Sequence, residues 1–143
     1  MALQGKLQIG SAAFGLIPGA GRLGGYGIVE CAYEFNQSVD ESGKPTSRPR
    51  GGIITFVTPT PEDGDTFFYN WMFDKTQTHD GTFTFIVYGK NNMRCYKTVQ
   101  FSNAYCIGLK EYFNDNDSRL MYTTVTISAE IITVSGVSLD NKW

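Results

Sequence analysis

Few side chains in this sequence are of types that could run chemistry, and their spacing argues against each in turn. His79 is the single histidine, so any Ser-His-Asp or Cys-His device would have to be built on it. Its place directly before Asp80-Gly81 reads instead as a solvated turn residue closing a helical segment. A metal centre made of histidines is excluded by count. Cys31, Cys95 and Cys106 are an odd number without CxxC spacing, which suits neither a complete disulfide framework nor a zinc site. Each lies in an alternating apolar run and reads as a buried, reduced thiol, consistent with folding in the cytosol.

Two further motifs fail on context. Residues 19–24, Gly-Ala-Gly-Arg-Leu-Gly, match GxGxxG, but a dinucleotide site needs a helix next, whose N-terminus receives the pyrophosphate. Here Gly25 and Gly27 follow and then a strand, so no aligned dipole exists. Asp115, Asn116, Asp117 and Ser118 imitate the opening of a calcium loop without its glycine or distal glutamate; a polar hairpin turn explains them. Glu62, Asp63 and Asp65 form an acidic group that complements a helix N-terminus. The expectation is a protein with no catalytic residue, no cofactor and no metal.

Composition narrows the class. The chain has 143 residues, with 12 Lys+Arg against 14 Asp+Glu and a net charge of −2. That balance argues against a nucleic-acid partner, which requires a concentrated basic field. No run approaches the ~20 apolar residues of a membrane span, so no membrane insertion is expected. Lys6 with the apolar stretch after it faintly imitates a signal peptide, but Gln8, Gly10 and Ser11 interrupt it, and no cleaved signal is expected. With 16 Gly and aromatics at 14%, strands joined by tight turns are favoured.

The elements follow from periodicity. Residues 3–9 read as a strand, and residues 10–27 as a Gly-rich irregular loop or loose hairpin. Val29, Cys31, Tyr33 and Phe35 then alternate with polar neighbours as a half-buried strand. Residues 53–58 form the next strand. A helix is predicted over about residues 61–74: Thr60 supplies the cap, Pro61 the first helical position and the acids the first turn. Its apolar face is Phe67, Phe68, Trp71 and Met72, spaced to cap a core. Strands 82–88, 93–101, 104–113 and 121–134 follow, joined by short antiparallel connections, with residues 102–103 read as one of them. The sum is a mainly β single domain over residues 1–143, a barrel or sandwich capped by one helix.

Two segments carry more information. Residues 38–52 are too long to close a hairpin, and loops above ~12–15 residues are usually functional or disordered. This one holds Asp40 and Glu41 in its first half and Lys44, Arg48 and Arg50 in its second. It is either a mobile surface loop or a docking arm with an acidic and a basic side. In residues 121–134, Val125, Ile127, Ala129 and Ile131 share one face. The other face, Thr124, Thr126 and Ser128, is small and uncharged, fit for lateral packing against a partner or for an ordinary two-sided strand.

Taken in order, residues 35–52, the helix at 68–74, residues 80–85, residues 101–106 with Tyr112, residues 123–129 and the terminal Asn141-Lys142-Trp143 resemble the haemolysin-coregulated protein (Hcp) family, the inner-tube proteins of type VI secretion, nearest its Bacteroidota-type branch. The resemblance implies an antiparallel β-barrel with one helix that forms homo-hexameric rings. These stack into a hollow tube expelled by a contractile sheath. It further implies sheath, spike and baseplate proteins as partners, effectors carried in the lumen, no catalysis, and assembly in the cytoplasm before export. On that view Asp40, Glu41, Lys44, Arg48 and Arg50 form a ring-stacking loop, and Thr124, Thr126 and Ser128 lie in a subunit interface. Residues 10–27 depart from the family's pattern. The alternative is a small β-barrel ligand-binding module with residues 10–27 gating a pocket.

Overall fold

The computed structural model describes residues 2–10, 25–62, 64–89, 91–115 and 120–143. The GxGxxG stretch, Asp63 and the 116–118 part of the calcium-like turn lie outside the described residues. The strands are β1 Ala2–Ile9, β2 Tyr26–Ile28, β3 Glu30–Tyr33, β4 Ile53–Pro59, β5 His79–Tyr88, β6 Met93–Phe113, β7 Met121–Val134 and β8 Val137–Asp140, with helix α1 Phe67–Phe73 after β4. They form one eight-stranded sheet in the order β2-β1-β5-β6-β7-β4-β3, with β8 added to β7.

The two ends of that order are neighbours in sequence. Only Val29 separates β2, which pairs with β1, from β3, which pairs with β4. One run of chain therefore joins the first and last strands of the sheet and curls it into a nearly closed barrel. Val29 donates its N–H to the Val57 carbonyl at 2.8 Å, and the Thr58 hydroxyl donates to the Gly27 carbonyl at 2.6 Å. Val29 was expected on the inward face. It is 56% exposed, because it is the residue at which the strand changes partner.

Inside, Leu7, Ile9, Ile54, Phe56, Phe83, Phe101, Val125 and Ile127 are buried in one cluster. The interior is filled by side chains, as in other small barrels. Gly81 admits no side chain: a Cβ there would lie 2.5 Å from Cζ of Phe101 and 2.7 Å from the Gln8 carbonyl.

The break expected at residues 102–103 is absent. β6 runs through them as one strand of 21 residues. Asn103 takes a positive φ of 54°, yet the chain bends there instead of reversing. The Asp80 carboxylate accepts the Asn103 backbone N–H at 2.7 Å, and the Asn103 amide donates to Glu130 at 3.0 Å. The inward parity shifts at this bend. Phe101 and Ala104 are both buried on β6, and Ala129 and Ile132 on β7. Hence Ile131, expected inward with Ala129, is only half-buried. Asp80-Gly81, expected as a turn, belongs to β5.

The helix is shorter than about residues 61–74, and Thr60 does not cap it. Thr60 continues the β4–β7 ladder, donating its N–H to the Met121 carbonyl at 2.9 Å and sharing a hydroxyl hydrogen bond with Thr123 at 2.8 Å. α1 starts at Phe67 with Thr66 as N-cap and no acid in its first turn, so Glu62 does not serve its dipole. Asp65 anchors the entry, accepting the Phe67 N–H at 2.9 Å and the Tyr26 hydroxyl at 2.8 Å. Phe68 and Trp71 are buried, while Phe67 and Met72 pack against the core from its margin.

Candidate functional site

Residues 36–50 form a hydrogen-bonded hairpin. Asn36 and Arg50 exchange backbone hydrogen bonds at 3.0 and 2.8 Å, and Thr46 donates its N–H to Ser38 at 2.8 Å. At the tip the Asp40 carboxylate accepts the Ser42 N–H at 2.9 Å, the Ser42 hydroxyl at 2.8 Å and the Lys44 N–H at 3.0 Å. The Ser42 hydroxyl, then the Lys44 amide, hold this carboxyl below the usual aspartate range. Such an Asx-type turn stiffens the tip without help from the core. At the root, Arg48 donates to the Asn141 carbonyl at 2.7 Å, and the Asn141 amide donates to the Gly51 carbonyl at 3.0 Å and the Ala129 carbonyl at 3.1 Å. A Cβ at Gly51 would sit 2.3 Å from the Phe35 ring, so any larger residue there must displace that exposed ring. Asp40, Glu41 and Lys44 thus share the exposed tip, while Arg48 and Arg50 lie at the root. Across the Val39–Pro45 bridge, Asp40 and Glu41 follow the first limb and Lys44 leads into the second, which carries Arg48 and Arg50.

Thr124, Thr126 and Ser128 lie on the outer face of β7 and are half-buried. Thr126 shares a hydroxyl hydrogen bond with Thr55 at 3.2 Å. β7 is paired on both sides here, with β6 and with β4. Its backbone is therefore committed, and only side chains offer contact.

Open backbone lies elsewhere, at a place the sequence reading passed over. β1 pairs with β5 along Ala2–Ile9 but with β2 only from Gly5 to Leu7. β6 pairs with β5 from Met93, but with β7 only from Val99 onward. Among the described residues, the start of β1, the end of β5 and the start of β6 make a three-stranded apron with an open edge on each side. Leu3, Tyr88, Met93 and Tyr96 are exposed on it, Met93 and Tyr96 by 61% each. The apolar residues flanking Asn91-Asn92 were the available signal. Phe73, 80% exposed, packs on Tyr69 at a centroid distance of 6.2 Å, and a separate open groove is lined by Met72, Lys75, Tyr105, Ile107 and Trp143.

The candidate chemical residues stay apart. No group of three His, Cys, Asp or Glu among the described residues could hold a metal. Cys106 is buried and Cys31 half-buried, and burial pushes both thiols up to about 11. Cys95, expected buried, is exposed, because it lies on the apron, beyond the barrel. His79 is not a solvated turn residue. It opens β5 with its ring against Phe67 and Trp71, at centroid distances of 4.8 and 5.0 Å. No described helix is long and apolar enough to cross a membrane. The described grooves are open surface features, one of about 520 Å³ lying at the root of the arm beside Tyr33 and Arg50. Most of the loop expected to gate a pocket lies outside the described residues.

The family model of hemolysin coregulated protein Hcp (TssD) matches residues 1–143. No curated protein matches the chain. Among solved structures, Hcp1 from Flavobacterium johnsoniae is 25% identical with a TM-score of 0.77, covering 96% of this chain and 99% of its own. Hcp1 from E. coli EAEC 042 is 15% identical with a TM-score of 0.73, covering 96% and 97%. A chain of the PVC extracellular contractile injection system, in a sheath–tube complex, is 14% identical with a TM-score of 0.54, covering 94% and 89%. The last two likenesses are of fold.

Proposed function

The chain belongs to the hemolysin coregulated protein Hcp (TssD) family, and on that premise we propose how this fold works as a structural, self-assembling subunit of the type VI secretion tube. The observation that carries the reading is the apron with two different open edges, residues 2–4 of β1 and residues 93–97 of β6. A closed ring needs two unlike patches on each subunit. An unpaired strand edge is a ready template for another chain. The β1 edge of one subunit meets the β6 edge of the next, and repetition closes a homo-hexameric ring, the number the family resemblance implies. The small outer face at Thr124, Thr126 and Ser128 adds lateral side-chain packing.

Stacking needs a second, axial contact. The arm supplies it, with a stiff tip bearing Asp40, Glu41 and Lys44 and a root bearing Arg48 and Arg50. Single exposed ion pairs contribute only about 0–1 kcal/mol, so ring-to-ring contacts are individually weak and become a junction by repetition. Sheath, spike and baseplate proteins and lumen-carried effectors are the remaining partners of this reading, with assembly in the cytoplasm followed by export.

Light scattering of the purified chain tests it: several times the monomer mass is expected. Met93→Lys with Tyr96→Lys places charge along the β6 edge, and a folded monomer should result. Unchanged ring mass in that variant overturns the edge contact; a monomeric wild type at micromolar concentration overturns the ring.

A further inference from the structure

We propose that His79 is a proton-sensitive latch on α1: protonation of its imidazole releases the helix from the end of the barrel. The arrangement around the ring carries this. Phe67 and Trp71, both on α1, pack against the imidazole, the planes of indole and imidazole crossing at 87°. Nε2 is buried and has no hydrogen-bond partner. A neutral imidazole can leave one nitrogen unpaired at modest cost, whereas an imidazolium carries two N–H donors and a charge. Burying that charge without a partner is expensive.

The latch acts where the helix is fastened. The indole N–H of Trp71 donates to the Ala104 carbonyl at 3.1 Å, and Ala104 is the register partner of His79. α1 has seven residues, too short to persist without its packing. An element held by one cluster opens more readily than the barrel strands. With α1 released, its exposed pair Phe73 and Tyr69 moves away from the barrel end.

The charges that face His79 do not cancel the effect. Asp80, its neighbour on β5, favours the imidazolium, but its carboxylate already accepts the Asn103 N–H. α1 contains no Lys, Arg, Asp or Glu; its Tyr69 hydroxyl turns to Glu111. The opposing stretch of β6, residues 102–106, is uncharged, as is Ile9 on β1. Glu130 on β7 is occupied by the Asn103 amide. Burial therefore prevails over Asp80 and holds the imidazole below its usual 6.5. The sign follows from that direction. Stability owed to a neutral His79 is complete above about 6.5 and is lost as pH falls from there through the folded value.

Because the chain has one histidine, the wild-type assembly can be titrated directly by NMR with ¹³C-labelled histidine, alongside hydrogen exchange of α1 at pH 7.5 and 5.5, corrected for intrinsic rates. A midpoint below 6.5 is expected, with faster α1 exchange at pH 5.5 and unchanged β7 exchange. With the open-state imidazole at about 6.5, the open population at pH 5.5 rises by up to about tenfold. His79→Phe should keep α1 protected at both pH values. A midpoint at or above 6.5, α1 exchange indifferent to pH, or a response that survives in His79→Phe overturns the proposal. If His79→Phe does not fold, the wild-type titration and exchange decide alone.

Discussion

The indole N–H of Trp71 donates to the carbonyl of Ala104 across 3.1 Å, fastening α1 to the middle of the longest strand. Trp71 is 1% exposed, so its side chain both fills the barrel end and satisfies a strand carbonyl. Trp71→Ala should cost roughly 3–5 kcal/mol as a large-to-small core change. Trp71→Phe, which keeps much of the volume but loses the hydrogen bond, should cost less. Urea unfolding of the two variants measures the difference, and equal losses would show that the bond adds nothing to the packing.

Asn103 should tolerate glycine far better than valine. Its φ of 54° is open to glycine and asparagine and strained for a β-branched residue. Asn103→Gly forfeits the contact with Glu130 yet relaxes the backbone, so its loss should be about 1 kcal/mol or less. Asn103→Val should lose clearly more, by strain of about 1–3 kcal/mol. Thermal melts of both variants check the order.

Arg48→Glu with Arg50→Glu should leave rings intact while impairing tube growth and secretion. Arg48 holds the root of the arm to Asn141, so charge reversal both loosens the arm and changes the sign it offers the next ring. Raising salt should weaken wild-type stacking as well, since exposed charges are screened over ~8 Å at physiological ionic strength. Negative-stain micrographs count stacked against single rings. Normal secretion by the variant, or loss of its rings, would be falsifying for the arm.

The tip of the arm should resist acid well below the window of His79. Hydrogen bonds from Ser42 and Lys44 depress the Asp40 carboxyl below 3.8. A depressed carboxyl contributes stability that is present above its unfolded pKa and lost as pH falls through the folded value. The Ser42 and Lys44 amide resonances should therefore shift only below about pH 4. Movement of those amides between pH 7 and 5 would contradict this account.

Local pattern alone sufficed for much of the architecture. The alternation in β7, the Phe67-Phe68-Trp71-Met72 stripe and the length of residues 38–52 are properties of neighbouring residues, and they pointed to a barrel or sandwich with one helix and a long loop, which the family resemblance narrowed to a barrel. Other features depended on partners remote in sequence. Thr60 has the side chain of a helix cap, yet it lies just past the end of β4 and bonds to β7, because the backbone bond to Met121 outweighed a local cap. Ser102-Asn103 reads as a turn, yet the Asp80 carboxylate and Glu130 hold it as a bend in a continuous strand. His79 beside Asp-Gly reads as solvated until α1 folds over it. The open edges of β1 and β6 were invisible for the same reason. An edge is defined by which strand fails to arrive beside it, and that is settled only when the sheet closes through Val29.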